Sequence, residues 1–332
     1  MVVAKAIFTH FLSFLLSFVI TLVPYAGHKP NVLETSKDDC KLNIAVMSDL
    51  HIEEKTNVRN GVFKVALKNI SNAKSAYDTV VIPGDVTNYA DEPALSEYYR
   101  IINKLSTVPV ITVAGNHDIG HAGDRDVTDI SREQAMANFI KYRNEYTGRN
   151  DTANYYSTEV NGYKFIILGD ECLNGGFWDD ISMTQEQLKF LDDELKAGTK
   201  DGLPCFVCCH WPVDGMNDVD IQWPGSCIDK NIYDIHSILK QYKNVFYISG
   251  HMHAGVKANI ISDICGLSNA EKVDGVTYIN VSCFGIINMF GLPWNGTGAS
   301  IEVYDNEVIF RPVNYFTQNW YENAVFTFEI DK

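Results

Sequence analysis

The 332-residue sequence has no basic excess: 27 lysines and arginines face 42 aspartates and glutamates, a formal net charge of −15. An extended nucleic-acid surface needs a basic stripe, so none is expected. A small phosphorylated substrate is still admitted, because a local metal site can outweigh the global field. There is no second Cys-x-x-Cys beside Cys205-x-x-Cys208. A structural zinc site needs four ligands, usually as two pairs, so that class is excluded. A redox Cys-x-x-Cys opens a helix, whereas residues 205–209 lie in an apolar run. Internal repeats and low-complexity stretches are also missing. No composition shift marks a domain boundary after residue 40, so 41–332 reads as a single domain with ample apolar content (46%) for one core.

One long apolar run is present. It follows Lys5, covers residues 6–23 and ends in Pro24, Tyr25, Ala26 and Gly27. The pattern describes a secretory signal peptide over 1–27. An uncleaved membrane anchor through 6–23 is the rival, since the run nearly reaches spanning length. Both place the chain outside the cytoplasm, with membrane contact only through such an anchor. Residues 28–40 read as a polar linker. Eight cysteines in an exported chain of this length leave room for one or two disulfides, with no pairing set. Asn69, Asn150, Asn280 and Asn295 head Asn-x-Ser/Thr triplets, which are glycan acceptors in a eukaryotic host.

The first third alternates. "LNIAVMSDLH", "TVVIPGD" and "VPVITVAGNHD" are apolar runs with polar ends, as buried strands are. Residues 61–76 and 92–105 carry helical spacing between them, with Pro93 in a first turn. Such alternation implies right-handed crossovers and a parallel sheet, hence an α/β fold. Further on, 130–142 reads as a helix. "YYSTEV" and "YKFIILGD" read as a hairpin turned by Asn161-Gly162. Residues 184–195 read as a helix with a capping box at Thr184 and Gln187. A helix over 232–242 separates the buried strands "PCFVCCH" and "NVFYISGH". "GVTYINVS", "SIEVYD" and "EVIFRP" read as antiparallel. In the cysteine-rich strand, Cys205, Val207 and Cys209 share one face, while Phe206, Cys208 and His210 share the other.

Nearly every buried strand ends in residues that bind metals. The ends are Asp49-Leu50-His51, Gly84-Asp85, Gly115-Asn116-His117-Asp118, His210 and Gly250-His251-Met252-His253. In α/β sheets, sites gather at the carboxyl ends of strands. Carboxylates, imidazoles and an amide oxygen suit first-row divalent ions such as Mn, Fe or Zn. Singly, an Asp-x-His or a Gly-Asp is an ordinary solvated turn. Five in order, each ending an apolar strand, point to a dinuclear centre able to clamp the attacking and leaving oxygens of a displacement. His10, His28 and His236 fall outside the pattern.

This ordered set resembles the calcineurin-like metallophosphoesterase superfamily, most closely its class III cyclic-nucleotide phosphodiesterases and generic secreted relatives. The resemblance implies a four-layer α/β/β/α sandwich around two mixed sheets. It implies one divalent ion on Asp49, His51, Asp85 and His253, and a second on Asp85, Asn116, His210 and His251, with Asp85 shared. It further implies hydrolysis of a phosphomonoester or phosphodiester by a hydroxide held between the ions and attacking phosphorus in line. His117 would stabilise the transition state or protonate the leaving oxygen, and Asp118 would orient His117. The His51 position argues against purple acid phosphatases, which lack it. The Asp118-Ile119-Gly120 stretch argues against protein phosphatases, which carry arginines there. His121 is a candidate substrate contact. Trp178, Trp211 and Trp223 are candidates for stacking a base or sugar, or for plain packing. The rival function is a catalytically silent metal-binding protein on the same fold.

Overall fold

The computed structural model of the chain describes residues 32–54, 57–88, 91–119, 130–171, 181–217, 227–253, 256, 270–285 and 296–332. The expected leader over 1–27, His121, Cys172, Cys265, Trp178, Trp223 and Asn295 lie outside them.

Strands β1 (Leu42–Val46), β2 (Thr79–Pro83) and β3 (Val110–Val113) run parallel, with helices α1 (Val58–Ser71) and α2 (Glu92–Leu105) between them in sequence. The other edge of β1 takes β10 (Thr297–Val303), then β11 (Glu307–Asn314), all antiparallel. Two short strands, β12 (Asn319–Trp320) and β13 (Phe326–Glu329), both pair with β11 and complete a seven-stranded mixed sheet. The second sheet has six strands in the order β4 (Tyr156–Val160), β5 (Tyr163–Ile167), β6 (Cys205–Cys208), β7 (Val245–Ser249), β9 (Val276–Asn280) and β8 (Ala270–Val273). Helices α3 (Arg132–Thr147), α4 (Gln185–Gly198) and α5 (Ile235–Leu239) and two short 3-10 turns at Asn116–Ile119 and Glu322–Ala324 complete the described elements. The result is the expected four-layer sandwich.

Strand alternation builds the layers. Leu42, Ile44 and Val46 of β1 face the second sheet, where they meet a cluster holding Phe165, Phe206, Cys208, Phe246 and Ile248. Ala45 and Met47 face the helical side, together with Phe63, Leu67 and Ile102. The cysteine strand divides as its pattern requires. Cys205, Val207 and Cys209 lie on the helical side, and Phe206 and Cys208 lie between the sheets. Cys40, Cys205, Cys208 and Cys209 are free thiols.

Helix starts follow their capping residues. Asn57, Asp91, Ser131 and Thr184 each accept a backbone N–H from the first turn. Asn57 therefore starts α1 before residue 61, and Gly148 in a left-handed conformation ends α3 five residues beyond 142. The Thr184 cap forms, but the Gln187 side chain does not return to it. That amide bonds Gly169 and Glu171 instead. The helix expected over 232–242 shrinks to α5, because Asp229 gathers a turn at Asn231–Tyr233 and Asp234 starts a new cap.

Three expectations are corrected. Strand β9 does not join β10 and β11; it pairs parallel with β7 in the second sheet, and its five residues are buried on both faces. Uniform burial leaves no alternation from which a pairing partner could be read. Residues 32–40 are not a free linker, because Leu33 is fully buried and its carbonyl accepts the Lys74 N–H at 2.8 Å. Ser36 also donates its N–H to the buried Glu302 at 2.8 Å. Asn280 is not a glycan acceptor: it is 2% exposed, and its amide nitrogen donates to the Gly250 carbonyl at 2.7 Å.

Candidate metal centre

The carboxyl ends of β1, β2, β3, β6 and β7 converge. The loops after β1 and β2 are zipped together: Asp49 N–H bonds Gly84 O, His51 N–H bonds Asp85 O and Ile52 N–H bonds Val86 O. Five of the expected ligands, Asp49, His51, Asp85, His251 and His253, have positive φ between 45° and 70°. Left-handed backbone disfavours residues with a Cβ by roughly 1–2 kcal/mol each. Sequence patterning carries no signal for this.

Close approach explains two glycines. A Cβ on Gly115 would stand 2.5 Å from the Asp85 backbone nitrogen, and one on Gly84, at φ 99°, would strike the His210 ring. The loop ends must therefore be bare for the side chains to close on one another.

Asp49, His51, Asp85 and His253 offer ligand atoms that all lie within 4.8 Å of one another. Ligands at 2.0–2.2 Å from a common ion span about that distance. His253 Nε2 is 3.3 Å from both Asp49 Oδ1 and His51 Nε2. A second group surrounds His210 Nε2, with Asn116 Oδ1 at 3.0 Å, His251 Nδ1 at 3.2 Å and Asp85 Oδ2 at 3.3 Å. His210 donates its other ring N–H to the Pro83 carbonyl at 2.8 Å, which turns the lone pair of Nε2 toward the site. Asp85 faces both groups, since its Oδ2 is also 3.7 Å from His51 Nε2.

The donor set fits cations. Asp49 Oδ2 and Asp85 Oδ2 are buried and accept no hydrogen bond. Buried carboxylate oxygens without donors are costly unless a cation sits against them. Imidazole nitrogens opposed at 3.2–3.3 Å repel unless a proton or metal lies between. Burial holds His51 and His251 well below the usual imidazole range, so both rings are neutral and each carries a lone pair. Burial is the largest influence on Asp85 and opposes its ionisation, but His210, His117 and His51 together outweigh it and keep the carboxyl well below its ordinary value. The reverse holds at His210: burial pulls it down, Asp85, Asp49 and the Pro83 carbonyl together more than offset that, and it rises to about 9.

All seven expected ligands are thus brought together. His117 joins them through its backbone N–H, which donates to Asp85 Oδ1 at 3.0 Å. The expectation for Asp118 is corrected. Its carboxylate does not touch the His117 ring; it accepts Val86 N–H, Thr87 N–H, Thr87 Oγ1–H and Gly115 N–H at 2.8–3.1 Å. The ring is held instead by the Asn88 carbonyl, 3.0 Å from Nδ1. Burial, with the Asp85 charge second, pushes the Asp118 carboxyl up to about 6. Trp211 proves to be packing: fully buried, it sets its ring edge-on at 5.3 Å from His210.

A profile of the calcineurin-like phosphoesterase family matches residues 42–255. A probable cyclic nucleotide phosphodiesterase of Psychrobacter arcticus is 23% identical over 229 residues, 65% of this chain and 75% of that one. A dimetal phosphatase from Danio rerio superposes with a TM-score of 0.59 at 14% identity, over 88% of this chain and all of that one. A purple acid phosphatase from yellow lupin (Lupinus luteus) seeds gives 0.57 at 14% identity, over 87% of this chain and 53% of that one.

Proposed function

The chain belongs to the calcineurin-like phosphoesterase family and is a hydrolase of phosphoric esters, and we propose that it cleaves a small phosphomonoester or phosphodiester by in-line attack of water. The observation that carries this reading is Asp85. One buried carboxylate, its Oδ2 free of hydrogen bonds, faces two separate sets of nitrogen and oxygen donors. Asp49, His51, Asp85 and His253 would hold one divalent ion, and Asp85, Asn116, His210 and His251 a second. When bound, such ions supply Lewis acidity toward the phosphoryl oxygens and make a water acidic near neutral pH. His117 stands beside the shared carboxylate with Nε2 free of protein partners among the described residues, placed to meet the leaving oxygen.

The protein's acidity does not forbid an anionic substrate, since the ions' charge exceeds that of the two ligand carboxylates. The relative from Psychrobacter makes a cyclic nucleotide one diester to test. We also propose that residues 1–27 direct export. Reconstitution with Mn and hydrolysis of a nitrophenyl phosphate ester test the main reading, with Asp85→Asn as the disabled control. A metal-loaded protein inert on monoesters, diesters and cyclic nucleotides would overturn it.

A further inference from the structure

We propose that Glu53 is a positioning residue for catalysis, holding the His117 imidazole in register through Asn88. The inference rests on the phosphoesterase reading above and adds a residue that the metal ligands do not include.

Among the described residues the His117 ring has one hydrogen-bonded anchor, the Asn88 carbonyl. A backbone carbonyl aims a ring only if its own peptide is fixed. Two bonds fix this one. Asn88 N–H donates to Ile52 O at 3.1 Å, and Asn88 Nδ2 donates to Glu53 Oε1 at 3.1 Å. Glu53 is itself braced on every side. Arg59 reaches Oε1 at 3.2 Å, Asn57 Nδ2 reaches Oε2 at 3.0 Å, and Asn60 Nδ2 bonds its carbonyl at 2.8 Å. Arg59 also donates to the His51 carbonyl at 3.3 Å. Glu53 thus ties the loop after β1, the loop after β2 and the first turn of α1 into one unit whose output is the carbonyl facing His117. None of its contacts is to a donor atom of the metal groups, so its loss should spare metal binding.

The arrangement has a chemical consequence. An N–H···O=C bond at Nδ1 leaves Nε2 as the nitrogen that meets the substrate. As the phosphorus–oxygen bond to the leaving group breaks and the water oxygen forms its new bond to phosphorus, the ring, entering the step with a proton on each nitrogen, gives its Nε2 proton to the leaving oxygen and is left as the neutral Nδ1–H tautomer, while the attacking water loses a proton to solvent. An alkoxide needs that proton badly, whereas a nitrophenolate leaves well without it. A loosened His117 ring therefore slows alkyl esters far more than nitrophenyl esters. General damage to the site slows both alike.

The test compares Glu53→Ala, Glu53→Gln and Asn88→Ala with the wild type, Mn-loaded, on ethyl phosphate and nitrophenyl phosphate. Glu53→Ala is expected to lower kcat on the ethyl ester about tenfold or more, with the nitrophenyl rate, KM and Mn affinity within about twofold. Glu53→Gln keeps an acceptor for Asn88 and should recover most of the rate. Nitrogen NMR of the metal-free protein should show the Nδ1–H tautomer of His117 in the wild type and a mixture in Glu53→Ala. If Glu53→Ala fails to fold, Asn88→Ala carries the same comparison, because it keeps the carbonyl and removes only the clasp. Equal losses on both esters, or an unchanged tautomer, would overturn the proposal. His117→Ala separates the two levels: leaving-group selectivity there without any in Glu53→Ala defeats only the Glu53 inference. A wild type inert on both esters defeats the phosphoesterase reading itself.

Discussion

Replacing Gly115 by alanine adds one methyl group at the point where the loop after β3 passes the shared carboxylate. The new Cβ would lie 2.5 Å from the Asp85 backbone nitrogen, 2.9 Å from its carboxyl carbon and closer still to Oδ1. Ordinary contact begins near 3.4 Å, so the two loops must part by about 0.9 Å. Neither can yield cheaply. Asp85 is tied through its carbonyl to His51 N–H, and Gly115 N–H is held by Asp118. Overpacking of this kind costs about 1–3 kcal/mol of stability. Displacing a catalytic group by about 1 Å costs on the order of 10²-fold in rate. Thermal unfolding, Mn calorimetry and kcat on a nitrophenyl phosphate ester should therefore all move together. Gly61→Ala is the control, since a Cβ there meets nothing within 4 Å in the body of α1. It should leave the rate alone and add about 0.5–1 kcal/mol. A Gly115→Ala protein with wild-type Mn affinity and kcat would refute the claim that this glycine exists for closeness to Asp85.

Asp118→Asn should lower stability by about 1–3 kcal/mol, read by denaturant unfolding, because an amide cannot accept from all four donors around it. In the metal-free protein, the raised His210 imidazole stabilises the fold below pH 6.5, and that contribution is lost as pH climbs through about 9. Metal entry must displace the same proton, so Mn affinity should rise about tenfold per pH unit across that window; a flat calorimetric profile would contradict it. Burial pushes Cys205 up to about 12 and Cys209 up to about 11, with Cys208 raised by the same cause. A maleimide at mildly alkaline pH should leave all three unmodified in the native protein, by mass spectrometry, and activity intact.

The site's membership was legible because strands with apolar interiors end in residues that make no sense as core. Asp49, Asp85 and His210 each follow four or more apolar positions, and that contrast needs no structure to be seen. Gly169-Asp170 shows the limit of the rule. It ends β5 in the same way, yet Asp170 accepts Ser182 N–H and pairs with Arg132, so it serves the fold and not the metal groups. What separates it from Gly84-Asp85 is the company of histidines from other strands, which only topology supplies. The partner of β9 and the anchor of His117 were hidden for a related reason. A uniformly buried strand has no alternation to register, and a backbone carbonyl has no letter in the sequence.

The five left-handed ligands connect fold to function most directly. At roughly 1–2 kcal/mol each, their backbone is a considerable cost for a domain of this size. Nothing in the apolar layers requires it. The hydrogen bonds between the loops after β1 and β2 lock the strained turns from outside, and the bare loop ends at Gly84 and Gly115 make room for them. The sandwich thus spends stability to hold donors against one another before any ion arrives. Strain concentrated on ligands rather than on neighbouring loop residues is what a preorganised cation site requires. Away from the site, the described residues with positive φ are aspartates, asparagines, one glutamine and glycines, as at Asn161-Gly162 in the hairpin between β4 and β5, and none is a histidine.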